Sequence, residues 1–170
     1  MRSLHPAMLE EAALLADCEI RRQRRSGPGG QHRNKVETAV VITHAPTGIQ
    51  GEASERRSQE QNRQVAIRRL RTNLAIHHRT DVCAENHQAT ALWQDRCRNG
   101  RVSVNPEHDD FPAILAEALN LLAACDWEPK EAAPRLTCTP SQLVKLIQLE
   151  PHAFLELNRQ RSARQLRPLR

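Results

Sequence analysis

Cys18-Glu-Ile-Arg-Arg-Gln-Arg-Arg25, Ser26-Gly-Pro-Gly-Gly-Gln31 and Thr38-Ala-Val-Val-Ile-Thr43 decide how this chain is read. The first run alternates, with Cys18 and Ile20 on one side and Arg or Glu on the other, which predicts a strand. The second is a loop by its glycine and proline content. The third is β-branched and predicts a buried strand. Ala45-Pro46-Thr47-Gly48 fits a type I turn, with Pro second and Gly fourth. Ile49–Ala53 then returns as a third strand.

Working outward, Leu9–Ala16 predicts a short helix before the first strand. A long helix starts at Ser54 or Ser58 and runs to about His78. Ala66, Ile67, Leu70 and Leu74 form its apolar stripe, while Arg56, Arg57, Arg63, Arg68, Arg69 and Arg71 crowd its other faces. Residues 9–79 are therefore an α+β unit: a few-stranded sheet, one covering helix and a glycine loop at a strand end.

Beyond it, residues 81–110 read as a polar, acidic connector, helical near Ala89–Cys97 and a loop through Asn99-Gly100 and Asn105-Pro106. Residues 111–170 read as a helical segment. Leu115, Ala118, Leu119 and Leu122 give Phe111–Cys125 one apolar face. Pro129 opens a short helix to Leu136. Thr139-Pro-Ser-Gln142 has the form of a capping box, and its helix ends near Glu150 because Pro151 follows. Pro151 opens the last helix.

The 170 residues carry 25 Lys+Arg against 20 Asp+Glu, a net charge of +5. Residues 1–17 sum to −2, 18–79 to +8, 80–128 to −6 and 129–170 to +5. Two basic lobes flanking an acidic stretch suit contact with nucleic acid as well as they suit a solvated Arg-rich surface. Tyr is absent, and only two Phe and two Trp occur, which disfavours a platform that stacks unpaired bases. No apolar run approaches the ~18 residues of a spanning helix. No signal-peptide core is present, so a cytoplasmic chain with reduced thiols is expected. The odd number of cysteines, five, includes no Cys-x-x-Cys pair. His78, Cys83, His87 and Cys97 match no zinc spacing, and no metal or cofactor is expected.

By chance, a Gly-Gly-Gln triplet arises in roughly one chain of this length in thirty at ordinary residue usage. Its surroundings are more specific. Ser26-Gly-Pro-Gly-Gly-Gln-His-Arg-Asn-Lys35 follows a strand. After it come Thr38-Ala-Val, Ile42-Thr-His44, Pro46-Thr-Gly48, Glu55-Arg-Arg-Ser-Gln59 and Asn62, in this order. The series resembles the GGQ domain of class I peptide chain release factors over roughly residues 10–79. Arg33 departs from a frequently apolar position and Val36 from a frequent Thr.

The resemblance implies a catalytic domain over residues 1–80 that enters the peptidyl transferase centre of the large ribosomal subunit and hydrolyses the peptidyl-tRNA ester. It makes Gly29, Gly30 and Gln31 the catalytic residues. Consecutive glycines let the backbone approach RNA closely. The Gln31 N–H then stabilises developing charge, and its side chain selects water. Arg24, Arg25, Arg33 and Lys35 are expected on rRNA phosphates. His32 and His44 are structural or RNA-contacting, and Asn34 holds the loop or binds RNA. Arg57, Ser58 and Gln59 cap the long helix and contact RNA. Gln31 is also the position a glutamine methyltransferase would modify.

About 17 residues precede the first strand, and neither a Ser-Pro-Phe nor a Pro-x-Thr motif occurs. The chain thus looks like the codon-independent relatives that rescue stalled ribosomes as monomers off the ribosome, with a basic tail in the empty mRNA channel. A second, looser resemblance is to a helix-turn-helix: Ala132-Ala133, Leu136, Thr137, Thr139 and Leu143 fit its spacing. Thr137 replaces the turn glycine, and Pro134 sits inside the first helix. As an RNA-docking module it would place Lys145 and the tail residues Arg159, Arg161, Arg164, Arg167 and Arg170 on phosphates. As a plain helical bundle it would only cap the domain. Two further function classes stay open: a non-catalytic rRNA-binding protein of GGQ-type fold, and a DNA-binding regulator using residues 129–150.

Overall fold

A computed structural model describes residues 4–23 and 38–170. The described residues divide into two compact units, one within residues 6–78 and one of residues 79–170 with Leu4 and His5.

In the first unit a 3-10 turn (Pro6–Met8) leads to α1 (Glu11–Ala16), β1 (Cys18–Gln23), β2 (Ala39–His44), β3 (Gln50–Ala53) and α2 (Gln59–His77). The strands form an antiparallel sheet in the order β1-β2-β3, as the α+β reading requires. β2 is the buried strand, with Ala39, Val40, Val41, Ile42 and His44 inside. The expected stripe of α2, Ala66, Ile67, Leu70 and Leu74, is fully enclosed and packs on β2 and β3. Each large side chain in it contributes about 1.5–3 kcal/mol of burial.

Helix and strand approach so closely that Gly51 has no room for a side chain. A Cβ there would lie 2.2 Å from the Ala66 carbonyl oxygen and 2.3 Å from the Leu70 nitrogen. α2 packs chiefly on β2 and β3, and the alternation of β1 buries little: Ile20 is 44% exposed. Ser58, not Ser54, caps α2, its hydroxyl accepting from the Gln61 N–H. The turn before β3 is centred one residue earlier than the proline suggests. The His44 carbonyl accepts from the Thr47 and Gly48 N–H groups at 3.2 and 2.8 Å, and Gly48 takes φ +70°.

The second unit contains α3 (Ala91–Arg96), β4 (Cys97–Arg98), β5 (Arg101–Val102), α4 (Phe111–Ala124), α5 (Pro129–Arg135), α6 (Pro140–Gln148) and α7 (Pro151–Ala163). α4 is buried all round from Phe111 to Leu122, rather than along one face. The stretch read as a connector packs onto it and belongs to this unit. The Glu117 carboxylate accepts from the Thr90 N–H at 2.8 Å and from the Thr90 hydroxyl, with His87 Nε2 at 3.2 Å. Asn120 exchanges hydrogen bonds with the Thr80 backbone N–H and hydroxyl. Trp93 is fully buried, its indole N–H donating to the Leu136 carbonyl at 2.7 Å.

Asn99-Gly100, expected as loop, forms a tight hairpin between β4 and β5, with both residues at positive φ (51° and 75°). That is the chemistry of a type I′ turn. The five cysteines are free thiols. No helix among the described residues is long and apolar enough to cross a membrane.

Candidate functional site

The antiparallel register of β1 and β2 ends on the pair Gln23 and Ala39. Residues 24–37 therefore leave and rejoin the sheet on adjacent strands. Arg24, Arg25, Gly29, Gly30, Gln31, His32, Arg33, Asn34 and Lys35 all lie outside the described residues, as do the departures at Arg33 and Val36.

The point where the chain rejoins the sheet is fixed by Asn62, which is fully buried in α2. Its side-chain amide donates to the Thr38 carbonyl at 2.7 Å and to the Arg56 carbonyl at 3.0 Å, and its oxygen accepts from the Arg56 N–H at 2.9 Å. One amide thus ties the start of β2 to the segment before α2. Three bonds satisfy a side chain that would otherwise cost about 1–3 kcal/mol to bury. Asn62 was legible only as part of the motif series. A polar residue in the first turns of an Arg-rich helix carries no burial signal of its own.

Arg57 and Ser58 are exposed beside this clamp and Gln59 is half-buried. Gln59 lines a groove of about 490 Å³ with Ile20, Arg22, Val40, Glu60 and Arg63. Arg63 reaches both Glu11 at 3.1 Å and Glu60 at 3.4 Å. Arg69 is held by Glu55 at 2.7 Å and by the Glu52 carbonyl. His44 is buried, with Nδ1 2.8 Å from the Thr47 hydroxyl. Its desolvation pulls its pKa below the ordinary value, against a smaller opposing pull from Asp17. It is a structural histidine of the turn.

Lys145 is exposed on α6. The tail residues divide. Arg159 is exposed and paired with Glu156 at 2.7 Å. Arg164 lies over the Trp127 ring, 5.9 Å from its centroid, and Arg167 and Arg170 are exposed. Arg161 corrects the expectation of a phosphate contact. It is 6% exposed and donates to the Trp127 and Arg167 carbonyls at 2.6 and 3.0 Å, with Glu128 as its ion-pair partner. The tail is also held back on α7, because Asn158 exchanges hydrogen bonds with the Leu169 backbone.

The helix-turn-helix spacing has a structural counterpart. Ala132, Ala133, Leu136 and Leu143 are buried. Four residues separate α5 from α6. Thr137 takes φ +54°, and the Thr137 and Cys138 N–H groups return to the Pro134 and Ala133 carbonyls. This is a Schellman ending, with Thr in the place glycine usually fills. The Thr139 hydroxyl accepts from the Gln142 N–H at 3.2 Å. The Thr139 N–H is taken by the Gly100 carbonyl instead of by Gln142.

Residues 13–107 match the family model described as RF-1 domain. The chain is 46% identical over 72 residues to peptide chain release factor 1 of Symbiobacterium thermophilum, covering 42% of this chain and 20% of that protein. It is 42% identical over 76 residues to the mouse protein named peptide chain release factor 1-like, mitochondrial, covering 45% of this chain and 20% of the relative. An Arthrobacter peptide chain release factor 1 is 44% identical over 119 residues, 66% of this chain and 33% of its own length. The chain spans between a fifth and a third of the length of these curated relatives. The family match covers more than half of the chain, takes in the Gly29-Gly30-Gln31 triplet, both strands that flank it and the Asn62 clamp, and places this chain in the RF-1 domain family, the GGQ-containing domain of class I peptide chain release factors.

Proposed function

We propose that the chain hydrolyses the ester of peptidyl-tRNA on the ribosome and releases the nascent peptide without reading a stop codon. The observation that carries this reading is Gly29-Gly30-Gln31 lying between two adjacent strands of an RF-1 domain. In this reading the Gln31 backbone N–H stabilises charge as water attacks the ester. A donor of that kind is worth on the order of 10²–10³ in rate. The Gln31 side chain admits water and excludes larger nucleophiles, and its methylation would modify that selection. Arg24, Arg25, His32, Arg33, Asn34 and Lys35 meet rRNA around the loop, with Arg57, Ser58 and Gln59 beside the Asn62 clamp. Lys145, Arg159, Arg164, Arg167 and Arg170 supply further positive charge toward RNA, the tail arginines along the mRNA channel.

The test is peptide release from purified ribosomes holding either a truncated message or a stop codon in the decoding site. Release from the truncated complex, with no added gain at the stop codon, is the expected result. Release only at a stop codon overturns codon independence. Ribosome binding with no release from either complex favours a non-catalytic RNA-binding protein.

A further inference from the structure

Outside the loop of the first unit, the second unit carries a basic surface that begins at the end of the matched residues 13–107 and continues beyond them. Arg98 and Arg101 pair across the hairpin, on either side of Asn99-Gly100, and both are exposed. Neither guanidinium has an ion-pair partner among the described residues. With Arg96 they line a groove of about 420 Å³ against one carboxylate, Asp95. Arg96 itself is spent on Asp110.

The hairpin is anchored at the start of α6. Thr139 donates its backbone N–H to the Gly100 carbonyl, and β5 packs on α6. α6 buries Leu143, Leu146 and Ile147 and turns Ser141 and Lys145 outward, with Gln148 exposed one turn further on. A short helix after a four-residue turn, flanked by a basic hairpin, presents a phosphate-binding face of the kind that duplex-binding modules use.

We infer that Arg98 and Arg101 of the hairpin, together with the Ser141–Lys145–Gln148 face of α6, form a second nucleic-acid contact surface that takes the phosphate backbone of double-stranded RNA. A duplex is favoured over a single strand because the large aromatic side chains of the unit are withdrawn: Trp93, Trp127 and Phe111 are buried and Phe154 is half-buried, which leaves His108 and His152 as its exposed rings. Guanidinium and ammonium groups suffice for a regular backbone, whereas single-strand binding draws strongly on stacking as well as charge. The choice of RNA over DNA rests on the ribosomal function proposed above. The surface itself does not.

The full chain is titrated with a fluorescent RNA hairpin of about 16 base pairs, the length that spans successive A-form minor grooves, across a range of salt concentrations. Arg98→Gln/Arg101→Gln is expected to weaken binding at least about tenfold at 0.1 M salt and to flatten the log–log salt slope by about 1.5–2, the signature of two lost phosphate contacts. Lys145→Gln flattens it by about one more half of that amount. The double Lys variant, Arg98→Lys/Arg101→Lys, restores most of the slope. An unchanged thermal melt confirms that these exposed residues are not needed for folding. Unchanged affinity and slope in the double Gln variant overturn the surface. Tighter, equally Arg98- and Arg101-dependent binding to a DNA duplex overturns the choice of RNA. Duplex binding by a wild type that releases no peptide from any ribosome contradicts the hydrolase reading alone and leaves this surface standing.

Discussion

The two units bury their central helices in different ways. α2 covers a sheet along one stripe and leaves arginines on its other faces. α4 is enclosed on every side, so its polar residues must be satisfied internally, as Glu117 and Asn120 are by Thr90, His87 and Thr80. The first unit thereby keeps a charged helix face exposed. The second commits its polar groups to holding itself together. In the second unit exposed basic residues lie at the hairpin tip, on the outer face of α6 and in the tail.

The largest expected effect tests the close contact of helix and sheet. Gly51→Ala places a methyl group against the α2 backbone, which cannot rotate away, and should cost roughly 3 kcal/mol or more. Urea unfolding followed by far-ultraviolet circular dichroism measures it. Both tryptophans, Trp93 and Trp127, lie in the other unit. The tryptophan fluorescence transition should therefore stay in place, and a parallel shift would break the division into two units.

The converse substitution is Arg161→Ala. It leaves the Trp127 and Arg167 carbonyls and the Glu128 carboxylate without their donor, at about 2–3 kcal/mol. Here the fluorescence transition should fall. No loss of stability would contradict the structural role assigned to this arginine and return it to the surface.

The smallest effect is a pH dependence in the first unit. Burial holds the His44 pKa below its unfolded value near 6.5. The unfolded chain therefore binds more protons, and stability rises with pH. This contribution is fully present above about pH 6.5 and is lost as pH falls toward the folded pKa. His44→Asn should reduce the loss of stability between neutral and mildly acidic pH. A loss that is equally steep in the variant would assign it to other groups.

Much of the first unit was legible in the sequence because its signals are local: β-branched runs, a proline-glycine turn and a stripe at helical spacing. What failed there was long-range, since nothing in Cys18–Gln23 says that α2 will pack chiefly on the other two strands. In the second unit the contacts that the sequence did not show share a cause. Residues 81–110 look like a solvated connector because Glu117, the partner of Thr90 and His87, is polar as well. Arg161 sits in an Arg-rich tail whose composition reads as surface. The helix ends after α4, α5 and α7 carry no glycine; Asp126, Thr137 and Gln165 adopt positive φ instead. The Asn99-Gly100 hairpin, by contrast, was signalled by a strong turn pair and hidden only by the shortness of its strands. Of the candidate site, the frame is visible in β1, β2 and Asn62, while the Gly29-Gly30-Gln31 triplet stands on its sequence and its family.

Single-turnover peptide release from ribosomes stalled on a truncated message, comparing wild type with Gly30→Ala, addresses the central claim most directly. If the glycine backbone positions the Gln31 N–H at the ester, the variant should lose on the order of 10²-fold or more in rate while keeping its ribosome affinity. Undiminished release by Gly30→Ala would contradict the account.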